Sequence, residues 1–312
     1  MMTPSYEAID RLQLQSFAVE QRDQHLYAVI EGAKAPEGYK TTGALVYTLE
    51  EMPTVYPLFL SPDTEQNNTE WLDLSPWLVE VAPDSPLFEW LIENASCHPY
   101  ILFWSPHPIG QVKPYLVNML KTQSPAGNTL FFRYYDPAVF NMLIEHTPDD
   151  LICSRLGHVS AMATYNEYAP PTQSTWHLRQ IGLAQQDHKL PLPVALTATE
   201  WQAIAELRRK ISIRQLTGYL NRNYPDHLSG VEPDTLQQFV IGAIEQGESY
   251  GYKTQGELEQ WLDLQLYFGD TLVGNPRYPW AKKIMDNKNL TATEKLNRLN
   301  LYLDQYQARS AE

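Results

Sequence analysis

The chain has 312 residues, 43% of them hydrophobic and 12% aromatic, which supplies a sizeable core and excludes an intrinsically disordered class. Its formal net charge is −14, and residues 1–168 carry nearly all of the excess, with 8 Lys and Arg against 21 Asp and Glu. Such a half repels nucleic-acid phosphates, keeps the protein soluble and can steer a basic partner.

The opening MMTPSYEAIDRLQL has no cationic segment followed by an apolar one, so no signal peptide is expected. No apolar run approaches the ~18 residues of a membrane span. Strands are predicted over 25–31, 55–60, 77–81, 100–104, 130–135 and 159–165, and helices over 85–93, 110–121 and 137–146. This alternation predicts an α/β lobe, a mixed and partly parallel sheet layered with helices. Several strands are continuous apolar runs, as expected of a sheet covered on both faces. Within LFFRYYDPAVFNML (130–143), Asp136 is placed to cap a helix and Pro137 suits its first turn. Cys97 and Cys153 form no CxxC pair and are expected to be reduced and buried.

Residues 169–196 change character, with Pro170, Pro171, Pro191 and Pro193 interrupting regular structure and one last strand expected at 176–179. A boundary near residue 190 gives an α/β domain over 1–190 and an all-α helical bundle over 191–312. Thr197-x-x-Glu200, Thr254-x-x-Glu257 and Thr291-x-x-Glu294 each have the hydroxyl and carboxylate of a capping box. Pro233 marks a further helix start, and Asn275-Pro276-Arg277-Tyr278-Pro279-Trp280 reads as a turn between helices.

The search for chemistry is largely empty. The eight histidines are scattered, without HExxH or Cys/His zinc spacing. No GxGxxG or P-loop pattern follows a strand, so no cofactor or metal is expected. Ser105 is followed by Pro106, which does not suit a nucleophile elbow, and Cys97-His98 are mere sequence neighbours. Glu145-His146 reads as a helix end, and Asp149-Asp150 as the start of a short helix. Asp136, flanked by Arg133 and Tyr135, is the carboxylate with the most organised setting; a loop-pinning role is favoured over catalysis. Arg208, Arg209, Lys210 and Arg214 cluster at the expected end of one helix and start of the next. They are candidates for a basic partner patch or for cations at a helix C-terminus. Trp71, Trp77, Trp90 and Trp104 are expected in the core, though tryptophan is also frequent in binding centres.

Four segments resemble, in order, the type VI secretion effector-chaperone family, the Tap or Tec adaptors, long catalogued as a domain of unknown function. Tyr27-Ala28-Val29-Ile30-Glu31-Gly32-Ala33 is similar to its "YALLDGA" strand. Ser75-Pro76-Trp77-Leu78-Val79-Glu80-Val81 with Asp84-Ser85-Pro86-Leu87 resembles "APYLV…DSPLL". Phe103-Trp104-Ser105-Pro106 resembles "(F/L)xSP", and Phe132-Arg133-Tyr134-Tyr135-Asp136-Pro137 resembles "FR(F/Y)YDP". The turn at 275–280 is similar to the "DPxLPW" turn of helical tails on type VI secretion proteins. The resemblance implies a non-catalytic cytoplasmic adaptor that holds a toxic effector, through its N-terminal or transmembrane region, and loads it onto the VgrG spike. It implies no nucleic-acid partner and no membrane insertion. Trp104, Arg133, Tyr135 and Asp136 become motif residues, structural or partner-binding. The alternatives are a hydrolase using Asp136 with a nearby acid, or an acidic immunity protein that neutralises a toxin.

Overall fold

The computed structural model describes residues 6–59, 73–157, 159–166, 175–182, 194–269 and 271–310, with side chains through 305. The chain divides into two compact units, Met1–Leu207 and Arg208–Glu312.

The first unit is built on one seven-stranded sheet. Its strands are β1 (Glu7–Ile9), β2 (His25–Ile30), β3 (Val55–Pro57), β4 (Trp77–Val81), β5 (Tyr100–Ser105), β8 (Ala161–Tyr165) and β9 (Trp176–Gln180), in the order β1-β9-β8-β5-β2-β4-β3. Every pairing in it is antiparallel, so the partly parallel sheet expected from the sequence is corrected. The apolar runs arise from cover on both faces, which strand direction does not alter. On one face, Leu26, Ala28, Ile30, Leu102 and Trp104 meet helices α1 (Arg11–Glu20), α2 (Thr42–Leu49) and α3 (Pro86–Asn94). On the other, Tyr27, Val29, Ile101 and Phe103 meet α4 (Ile109–Met119), α5 (Pro137–His146) and α6 (Asp149–Leu156). The result is a three-layer helix–sheet–helix core, in line with the α/β class.

A small second sheet lies in the same unit, ordered β10-β6-β7, with β6 (Lys121–Gln123), β7 (Thr129–Phe131) and β10 (Val194–Ala195). β6 and β7 form a hairpin whose turn carries Gly127 at φ 82°, a conformation open to glycine. β10 joins β6 in parallel. Lys121, expected at a helix end, therefore opens a strand. The strand expected over 130–135 stops at Phe131, because Phe132, Tyr134 and Tyr135 all bury into one cluster and strand alternation cannot do that. Of the strand expected over 55–60, Val55–Pro57 is observed, and Leu60 lies outside the described residues.

Val194, Leu196 and Ile204, which follow the Pro-rich stretch, belong to the core of the first unit. The second unit is helical: the C-terminal part of α7 (Ala198–Asn223), then α8 (Pro233–Ser249), α9 (Gln255–Phe268), α10 (Pro279–Met285) and α11 (Ala292–Ser310). All three capping boxes form, at Thr197–Glu200, Thr254–Glu257 and Thr291–Glu294. The core of this unit gathers Leu216, Leu220, Val240, Ile244, Trp261 and Leu299. Pro279 starts α10, and Trp280 stacks on Tyr302 at 4.2 Å with the rings nearly parallel. Among the described residues no helix is long and apolar enough to cross a membrane.

Candidate functional site

The junction after β7 brings two of the motif segments together. Asp136 sits in extended backbone, accepts from the Ala138 N–H at 3.0 Å and caps α5, with Pro137 in the first turn. Its own N–H donates to the Arg133 carbonyl at 3.1 Å, closing a tight turn. That turn aims Arg133 at Glu31, which follows the last residue of β2. The guanidinium donates to both carboxylate oxygens, at 2.7 and 2.6 Å, across 102 residues of sequence.

Glu31 is 4% exposed, whereas the Arg133 side chain is 48% exposed. The backbone of Glu31 is fixed as firmly as its side chain. Its N–H donates to the Pro99 carbonyl, and its carbonyl accepts from the Thr42 hydroxyl. The next residue, Gly32, passes so close to Ser75 that an added Cβ would lie 1.9 Å from the Ser75 carbonyl oxygen. No side chain fits there, so this glycine is what lets β2 end with Glu31 facing Arg133.

Burial lowers the proton affinity of Arg133, but Glu31, Tyr135 and Asp136 outweigh it and leave the guanidinium firmly charged. Tyr135 is buried with its ring 5.6 Å from that cation, and burial pushes its phenol up to about 12. Both carboxylates are engaged with donors, one by the Arg133 Nη2 shared between its two oxygens and one by a helix start. The arrangement ties β2, the turn and α5 together.

Trp104 does not join this group. It lies on β5 with its side chain in the opposite core, edge-on to Phe17 at 5.0 Å, while Tyr135 belongs to the core on the other face of the sheet. Strand parity separates them: Glu31 shares the face of Tyr27 and Val29, whereas Trp104 shares that of Leu102. Trp77 and Trp90 are half-buried against the same core as Trp104, and Trp71 lies outside the described residues.

The basic residues Arg208, Arg209, Lys210 and Arg214 stand in the middle of α7, one continuous 26-residue helix. The helix break expected there is corrected, since no Gly or Pro interrupts 198–217 and the apolar spacing continues to Leu216 and Leu220. Arg209 is engaged by Glu245 at 2.6 Å and Glu248 at 3.9 Å on α8, while Arg208, Lys210 and Arg214 are exposed.

Sequence reasoning missed a buried charge network. Arg155, 5% exposed on α6, donates to Glu200 at 2.6 Å and to the Ala195 carbonyl at 2.6 Å, and the Thr147 hydroxyl donates to Glu200 at 2.5 Å. Burial raises the Glu200 pKa, but donors from Arg155, Thr147 and Thr197 overcome it and hold the carboxyl below the usual range. Nearby, Arg179 of β9 pairs with Asp149 and donates to the Thr147 carbonyl at 2.8 Å. The capping box at Thr197 was the available signal for Glu200. Nothing local marked Arg155 or Arg179.

Cys153 is buried as expected, while Cys97 is exposed, because it sits in the turns that follow α3. Among the described residues no three His, Cys, Asp or Glu side chains converge in a way that could hold a metal ion.

No curated protein and no solved structure matches the chain. Residues 26–152, less than half of the chain, match the model of a protein family described as a domain of unknown function, DUF4123; the match holds both Glu31 and the Arg133–Asp136 turn.

Proposed function

We propose that the chain is a non-catalytic adaptor chaperone of type VI secretion, binding an effector in the cytoplasm and loading it onto the VgrG spike. The observation that carries this reading is the DUF4123 match over 26–152, because that family is associated with type VI secretion effector adaptors. The four motif segments fall within the matched stretch, in the same order. The geometry is consistent with a binding role: Glu31, Arg133 and Asp136 are engaged in holding a strand-to-helix junction, so the best-organised charges of the matched region serve shape. Work of this kind needs complementary surface and reversible affinity.

The test is deletion of the gene in its native bacterium, with killing of a susceptible neighbour as the readout. One effector should fail to be delivered while others still are, and the chain supplied in trans should restore it. Unchanged delivery of every effector would refute the reading.

A further inference from the structure

The hairpin of the small sheet ends in an edge that no described strand covers. Phe132 donates its N–H to the Leu120 carbonyl, and Ser124 donates to the Asn128 carbonyl. With Thr122 opposite Leu130, this register makes Thr122–Leu130 a hydrogen-bonded pair and Lys121–Phe131 and Gln123–Thr129 non-bonded ones. The N–H and C=O groups of Thr129 and Phe131 therefore point away from β6, along the open side of β7. Phe131 is 59% exposed, and its ring meets Phe59 edge-on at 5.4 Å. β7 has no charge, proline or bulge of the kind that usually blunts an edge.

Two lysines of this acidic lobe lie on the elements next to the edge. Lys121 stands directly across from Phe131 on the same face, and Lys113 of α4 lies over the ring of Tyr56 at 4.5 Å, three residues before Phe59. Neither lysine has an ion pair among the described residues. In residues 1–168, which carry 8 Lys and Arg against 21 Asp and Glu, these are two of the few cations, one across from Phe131 and one over Tyr56.

We infer that the β7 edge is a docking site for an extended segment of a partner protein that presents apolar and acidic side chains on one face, added to the small sheet as a further strand. Main-chain groups of Thr129 and Phe131 supply its hydrogen bonds, Phe131 and Phe59 receive an apolar side chain, and Lys113 and Lys121 face its carboxylates. A second copy of this chain fits less well, because edge-to-edge pairing would bring the lysines of both copies together. The short strand suits a contact that must later release. The inference rests on the adaptor reading for the class of partner, though the edge can be tested separately.

The test uses the full chain and two short labelled peptides, a Val–Asp peptide with the repeat Val-Thr-Asp-Thr and a Val–Lys peptide with the repeat Val-Thr-Lys-Thr, so that Val and the charged residue share one face, with binding read by fluorescence anisotropy. The Val–Asp peptide should bind. Phe131→Pro removes an outward N–H and leaves the β6 ladder intact, so affinity should fall about tenfold or more at unchanged circular dichroism. The pair Lys113→Glu and Lys121→Glu should lower it similarly, and this surface variant decides the matter should Phe131→Pro fail to fold. Absence of Val–Asp binding, equal binding by the folded variants, equal binding of Val–Lys, or a dimer of the chain abolished by Phe131→Pro would each overturn the inference. If the wild type captures effector and spike and the folded Phe131→Pro variant does so equally, the edge fails as the adaptor surface while the adaptor reading stands. If the wild type captures neither, the adaptor reading is what fails.

Discussion

Glu31 shows how much one interaction can depend on its partner. Arg133→Ala would leave a nearly buried carboxylate without its guanidinium donor, at a cost of about 1–3 kcal/mol. The half-exposed position of Arg133 places the effect toward the lower end. Glu31→Gln strands no buried charge and should cost less, an ordering that urea denaturation of the two variants checks. The Arg155–Glu200 pair is enclosed, so Glu200→Ala should cost about 3–5 kcal/mol. The pH dependence follows from the same groups. Burial depresses the His177 pKa, so the unfolded chain takes up its proton first, and stability falls as pH drops below 6.5. Glu200 is held below its ordinary 4.5, so its contribution is full above that pH and is lost as pH falls through its folded value. A melting temperature that is flat near neutrality and declines in these two stages is expected; Glu200→Gln should remove much of the second. Asp136 was legible from the sequence because a cap and its helix are neighbours. Glu31 was not, since its partner is 102 residues away.

Secondary structure was legible wherever the signal is local. β4 and α5 occupy the residues the sequence predicts, and the capping boxes at Thr197, Thr254 and Thr291 all form. Where packing decides, local pattern misleads. The aromatic run at 130–135 reads as strand, yet consecutive burial of Tyr134 and Tyr135 turns the chain after Phe131. Charge clustering at 208–210 likewise reads as a helix end, although the helix continues to Asn223. Ser212→Pro distinguishes the two descriptions. Inside a continuous helix it should cost about 3 kcal/mol with a loss of ellipticity, whereas at a junction between helices it would cost little. Thermal melts followed at 222 nm would register either outcome.

At the scale of the whole molecule, the sequence supports an α/β lobe and a helical lobe, but strand order depends on contacts it does not display. Apolar strands covered on both faces look alike in parallel and antiparallel sheets, so direction could not be read. The acidic excess of residues 1–168 is a global property that was legible, and it bears on binding through its range: an electrostatic share of affinity should weaken with salt while apolar docking persists. The adaptor account is tested most directly by mixing the purified full chain with the effector and the VgrG spike that the account assigns to it and following the masses by size exclusion with light scattering. The account predicts one species containing all three proteins, with effector–spike association reduced when the chain is left out. A chain that elutes alone at low and high salt, or an effector that joins the spike equally well without it, would contradict the account.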